Sequence, residues 1–218
     1  SGATYPYNAT PSGVVTFTGT AGGDNDANDY MYFYDWKVFA GSTCARTPVQ
    51  AVVKTNCNTD VKQDIALDAG WNLISFAVNP SNTAVSSVFS SLGSDLLCVK
   101  TMDAFYDPAQ PVTYNSLKNI EPGKAYLVNV RIAKSLSIIG PATGAVTLTL
   151  QSGWNLVGYP KTTEAAIDVV WSAIWTSFVS TKNFDGFYIK GGTLNSISKL
   201  FQGNGYFIKL NNTATLNY

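Results

Sequence analysis

Six residues near the start of the chain, Asp24-Asn25-Asp26-Ala27-Asn28-Asp29, put side-chain oxygens at the first, third and fifth positions of a calcium-loop pattern, with Asp35 at the twelfth. Asp24, Asp26 and Asn28 are thus candidate calcium ligands. Asp29 stands where such loops place a turn-making glycine, and the twelfth position falls inside an expected strand, so a solvated hairpin loop rich in Asn and Asp is the competing reading. A second constellation is aromatic: Trp175 at the edge of an apolar stripe, followed by Phe184, Phe187 and Tyr188 on an expected hairpin. Flat aromatic faces match the C–H face of a pyranose, so Trp175, Tyr188 and Phe187, with Trp36 on an N-terminal strand, are candidate ligand contacts. The same rings could instead close a core.

Acid–base chemistry finds little support. The chain contains no histidine, which removes the commonest general base, the triad imidazole and the commonest zinc ligand. Asp103 and Asp185 fall at expected hairpin turns, and Asp107, Glu121 and Asp168 have no partner that the sequence places nearby. No GxSxG, HExxH, phosphate-loop or dinucleotide fingerprint occurs, and the expectation is a protein without catalytic residues.

The elements that position these residues are suggested by composition. The 218 residues suffice for one medium domain or two to three small ones. Charged residues are 13% of the chain, with 14 acidic groups balancing 14 basic ones, and the pI is near 6.1. A nucleic-acid partner would need clustered cations, so none is expected. Of the acids 12 are Asp and only Glu121 and Glu164 are Glu; with abundant Ser, Thr, Asn and Gly, this is a strand-and-turn composition. No run of 18 apolar residues is present, so no membrane span is expected, nor is an uncleaved signal peptide. The low-charge polar surface points to an extracellular or cell-surface location. Cysteines stand at 44, 57 and 98. Cys44 and Cys57 flank an expected strand of about 25 Å, so their short flanks could only just return to disulfide distance. Cys98, in an apolar run, reads as a buried inert thiol.

The strongest signal is internal. Gly70-Trp71-Asn72-Leu73-Ile74-Ser75-Phe76 recurs as Gly153-Trp154-Asn155-Leu156-Val157-Gly158-Tyr159, an offset of 83. Lys100 to Tyr106 corresponds to Lys182 to Tyr188 at offset 82, and Gly123 to Val128 corresponds to Gly203 to Ile208 at offset 80. The expected fold is therefore α+β and mainly antiparallel, with repeat units over 62–140 and 145–218 after a β-rich segment over 1–57. In each unit the alternation around Trp71 or Trp154 predicts two strands joined by a tight turn at the glycine, or one strand broken by a bulge there. Residues 83–92 and 163–175 carry apolar groups at helical spacing, with Thr83 and Thr162 or Thr163 as N-caps. A strand then leads to a two-residue turn at Asp103-Ala104 or Asp185-Gly186. Pro122-Gly123 predicts a type II turn before the strand 125–130. Trp71 and Trp154, equivalent in both units, are expected in the core, with Gly70 and Gly153 as structural glycines. Both indoles in an open cleft beside converging acids would overturn that reading.

The GWNLIS and GWNLVGYP stretches with the downstream EPGKAY turn resemble a repeat of secreted and surface proteins of Bacteroidota and some other bacteria, over residues 62–218. The N-terminal YPY, VVTFTG, YMYFYDWKV and C-x-R-T-P-V-x-A patterns resemble the closing half of a β-sandwich module in large surface proteins of that group. The resemblance implies part of a longer protein and supplies no catalytic residues. The expected function is a non-catalytic extracellular structural or adhesive module: a spacer, an adhesin part or a surface-fibre subunit. Its partners would be glycans or neighbouring surface-protein domains, and it needs no cofactor, calcium apart. A carbohydrate-binding accessory module and a subunit that polymerises by strand addition are the alternatives.

Overall fold

Alternating apolar residues in 60–76 pair with strands some sixty residues later, and the same long-range pairing recurs in the second half of the chain. The computed structural model describes residues 60–218, together with the short strands β1 (Tyr7–Asn8) and β2 (Thr16–Phe17), which pair antiparallel. The chain divides into two units, Ser1–Lys54 and Thr55–Tyr218. Trp36, the calcium candidates Asp24, Asp26 and Asn28, the Cys44 and Cys57 pair and the strands expected over 30–39 and 47–54 lie outside the described residues.

The first half of the larger unit runs β3 (Asp60–Leu67), β4 (Gly70–Ser75), α1 (Val85–Val88), β5 (Leu96–Lys100), β6 (Phe105–Tyr106), β7 (Ala125–Val130) and β8 (Lys134–Pro141). The second half runs β9 (Thr147–Leu150), β10 (Gly153–Gly158), β11 (Ala165–Ala166), α2 (Ile167–Val170), β12 (Phe178–Lys182), β13 (Phe187–Ile189), β14 (Lys199–Leu200), β15 (Gly205–Leu210) and β16 (Ala214–Asn217). Each half holds a four-stranded antiparallel sheet, in the orders β4-β7-β5-β6 and β10-β15-β12-β13, and a two-stranded ribbon, β3 with β8 or β9 with β16. The strands before and after the Gly-Trp pair therefore enter different layers. The core lies between layers: Ile65, Leu67, Leu136 and Ile138 of the ribbon meet Ile74, Tyr126, Val128 and Val130 of the sheet. Leu150 and Leu216 meet Val157, Tyr206, Ile208 and Leu210 in the same way. Even irregularities recur, with register shifts between Leu96 and Cys98 and between Phe178 and Ser180. The described chain is mostly antiparallel sheet with few helices.

The helices are shorter than the sequence suggests. Each is a single turn, extended by a 3-10 segment at Ser90–Asp95 or Ser172–Ile174. The N-caps are Ala84 and Ala166, without side-chain caps, rather than threonines. Carbonyls distant in sequence take up the free amides instead: Val85 N–H donates to Lys118 O at 2.9 Å, and Ile167 N–H to Ser198 O at 3.1 Å. The hairpin turns also differ. The four-residue loops 101–104 and 183–186 centre on Met102-Asp103 and Phe184-Asp185, one residue earlier than expected. Thr101 Oγ1 accepts the Ala104 N–H and Asn183 Oδ1 the Gly186 N–H, so a side chain replaces a ladder bond in each.

The two halves clasp each other through their turns. Gly123, with φ +76, sits third in the turn 121–124, which Lys124 N–H closes on Glu121 O at 3.3 Å. Gly203, with φ +85, does the same in 201–204, where Asn204 N–H reaches Phe201 O at 3.2 Å. Ser75 N–H donates to Gly203 O at 2.8 Å, and Gly158 N–H donates to Gly123 O at 2.7 Å, each across the boundary between halves. Small residues permit this approach: a Cβ on Gly158 would lie 2.4 Å from Lys124 O and 2.6 Å from Ser75 Cβ. Gly158→Ala should therefore cost about 1–3 kcal/mol in denaturant unfolding, whereas Gly144→Ala, in open space, should change little. Equal stability of the two variants would contradict the clasp.

Buried tyrosines anchor both turns. Tyr126 Oη accepts the Glu121 N–H at 2.6 Å and Tyr206 Oη the Phe201 N–H at 2.9 Å. Burial pushes the Tyr126 hydroxyl up to about 12 and raises Tyr206 and Tyr218 in the same direction. A folded-state pKa above the unfolded value of about 10 gives stability that is complete below pH 10 and lost as pH rises through the folded value. Denaturant midpoints should fall between about pH 10 and 12 in step with tyrosinate absorbance; a flat profile there would contradict tyrosine anchoring.

Candidate functional site

The Gly-Trp-Asn sequence has a division of labour. Gly70 and Gly153 both adopt φ +94, which lets the chain turn sharply out of the ribbon. Asn72 then bridges the turn, its Oδ1 accepting Asp68 N–H at 2.9 Å and its Nδ2 donating to Asp68 O at 2.8 Å. Asn155 holds Gln151 through the same two contacts, both 2.8 Å. With Asn72 and Ile74 on the core side of β4, the period of two sends Trp71 to the opposite face. Trp154 follows for the same reason.

Trp71 and Trp154 are therefore display residues, not core: they are 43% and 42% exposed. The core expectation failed because both alternating sets in this strand contain large apolar residues, and the layer that buries one of them is built about sixty residues later. The cross-strand register assembles two equivalent outer faces. In the first half, Leu73, Leu127, Lys100 and Phe105 form a row beside Trp71, Asn129 and Cys98. In the second, Leu156, Phe207, Lys182 and Phe187 form a row beside Trp154, Lys209, Ser180 and Ile189. Lys100 Nζ stands 5.3 Å from the Trp71 ring centroid, and Lys182 Nζ stands 5.0 Å from that of Trp154. An ammonium over an indole is attracted by the ring quadrupole and steadies an otherwise exposed ring. Cys98 is half-buried on this outer face rather than sealed in the core, and burial still raises its thiol pKa.

The aromatic trio expected around Trp175 is divided by the sheet. Trp175 is half-buried and stacks on Phe178, with centroids 5.1 Å apart and planes at 16°. Tyr188 joins that inner group, 6.2 Å from Trp175 and 6.1 Å from Phe178. Phe187, its neighbour in the strand, points the other way and is exposed. Adjacent strand residues cannot share a face, so Trp175 and Tyr188 form part of the core wall while Phe187 belongs with Trp154. Trp171 is wholly buried against Phe178 and Tyr206.

Trp154 also borders a groove of about 640 Å³ between the halves. Asp103, Lys118, Glu121 and Lys124 line one side, with Gln151 and Asn155 on the Trp154 side. Its acids are engaged in exposed contacts: Asp103 accepts the Thr101 hydroxyl at 2.9 Å, and Glu121 pairs with Lys124 at 2.9 Å. Asp185, at the other hairpin tip, accepts from Asn183 Nδ2 at 3.0 Å. These are turn-holding roles, and none of the three acids is withdrawn from water. Among the described residues, no three His, Cys, Asp or Glu side chains converge as a metal group, and no helix is long and apolar enough to cross a membrane.

No family model, curated protein or solved structure matches this chain. The display geometry is testable without a ligand. Trp71→Ala and Trp154→Ala should each cost less than about 1 kcal/mol, whereas Trp171→Ala should cost about 3–5 kcal/mol by chemical denaturation. A large loss at either display tryptophan would return it to the core.

Proposed function

We propose that the chain is a non-catalytic extracellular module, structural or adhesive in role, built from two homologous copies of one small α+β unit. Its contacts are made by the outer faces of the two four-stranded sheets. The observation that carries this reading is the matched exposure of Trp71 and Trp154, each with a lysine beside it at the same register position. Indoles left 43% and 42% exposed give the fold less than buried ones would, whereas at an interface they supply large contact area at low entropic cost. The carboxylates of the groove are exposed and hold turns, which favours binding over catalysis. The low-charge, Asn- and Thr-rich composition favours the extracellular setting.

A carbohydrate-binding role is the second reading, favoured by the position of Trp154 at the rim of the groove. Screening the chain against an immobilised glycan panel and against intact cell surfaces tests both. Binding is expected to at least one surface, weakened about tenfold or more in a Trp71→Ala/Trp154→Ala variant that retains its melting temperature. Unchanged binding in that variant would refute the proposed faces, and release of reducing ends from any panel glycan would refute the non-catalytic role.

A further inference from the structure

The two outer faces are alike in their aromatic residues but not in charge. Where Asn129 stands opposite Trp71, Lys209 stands opposite Trp154. The Trp154 ring is thus flanked by two ammonium groups, Lys182 Nζ at 5.0 Å and Lys209 Nζ at 6.0 Å from its centroid, while Lys182 also lies 5.9 Å from the Phe207 ring. No acid occurs in either row of this face, Trp154-Lys209-Ser180-Ile189 or Leu156-Phe207-Lys182-Phe187. In a chain with zero net charge, that is a local imbalance which an anionic occupant would offset.

We infer that the Trp154 face binds an acidic polysaccharide whose pyranose rings carry carboxylates, a polyuronate. This rests on the adhesive reading and adds the ligand class. The indole offers a flat surface for the C–H face of a sugar ring, which a flexible acidic peptide lacks. A uronate carboxyl is bonded directly to its ring, so its oxygens lie beside the stacked sugar, within reach of the two ammonium groups that stand over the same indole, Lys182 Nζ and Lys209 Nζ. A sulfate ester projects one bond further from the ring. The regular charge of a polyuronate chain would engage Lys182 and Lys209 on the same face.

Calorimetric titration of the full chain with polygalacturonate, its methyl-esterified form, a neutral β-glucan, dextran sulfate and poly-glutamate tests this. Polygalacturonate should bind most tightly. Methyl esterification should weaken binding about tenfold or more, as should Lys182→Ala/Lys209→Ala in a variant of unchanged melting temperature. Raising the salt concentration should weaken binding in the same direction, and Trp154→Ala should abolish it. Equal affinity for the ester or the neutral glucan would overturn the carboxylate assignment and leave the adhesive reading standing. Preference for dextran sulfate or poly-glutamate would overturn it in favour of another anion. Failure of all five probes overturns the inference, and a negative glycan and cell-surface panel beside it overturns the adhesive reading as well.

Discussion

Two backbone hydrogen bonds that cross between the halves set the constraint on which the larger unit depends. Ser75 and Gly158 end the Gly-Trp strands, and each gives its N–H to the turn glycine carbonyl of the opposite half, Gly203 or Gly123. The bonds form only because the backbones come almost into contact, with Ser75 Cβ against Gly158 and Ala125 Cβ against Gly205. One serine hydroxyl completes the junction, donating to Asn204 O at 2.8 Å and accepting Tyr159 N–H at 3.2 Å. A second side chain of that size at position 158 would have no room, so the two halves differ where they touch. The turns themselves are held by Tyr126 and Tyr206 from within each core, which couples the junction to the packing of both.

This junction determines what the outer faces are free to do. Leu73 is buried beside Gly205 at the contact end of its strand, while Trp71, two residues back on the same face, is left in the open. Trp154 is placed likewise, at the rim of the groove that the junction creates. Each sheet thus divides its outer face between holding the other half and presenting an indole. The proposed contact residues stand on strands, whose register fixes the lysine and phenylalanine neighbours of each ring more firmly than a loop would.

Much of this was legible in the sequence. The recurrence at offsets near 80 predicted matching elements, and Pro122-Gly123 predicted the turn that the structure places at the junction. Period-two alternation predicted a strand after Gly70, in which Trp71 and Leu73 form one alternating group and Asn72 and Ile74 the other. It could not say which group faced the core, because the ribbon and sheet partners that decide this are distant in sequence. The same limit scattered the trio around Trp175: proximity along the chain suggested one platform, yet Phe187 and Tyr188 fall on opposite sides of β13. The signal that could have exposed the tryptophans was the asparagine after each. A residue needed to bridge the preceding turn must face it, which sends its neighbour outward. The helix lengths were overestimated because the chain passes into 3-10 segments at Ser90–Asp95 and Ser172–Ile174, and because Ala84 and Ala165–Ala166 before the helices are committed to β pairing.

The most direct test of the junction is native-state hydrogen exchange at the Ser75 and Gly158 amides, read by NMR. If the halves are one cooperative body, both amides exchange only through global unfolding, with the same protection free energy as Val128 and Ile208 in the sheet centres. Fast exchange at either amide, while Val128 and Ile208 stay protected, would show that the halves open independently and would contradict the account.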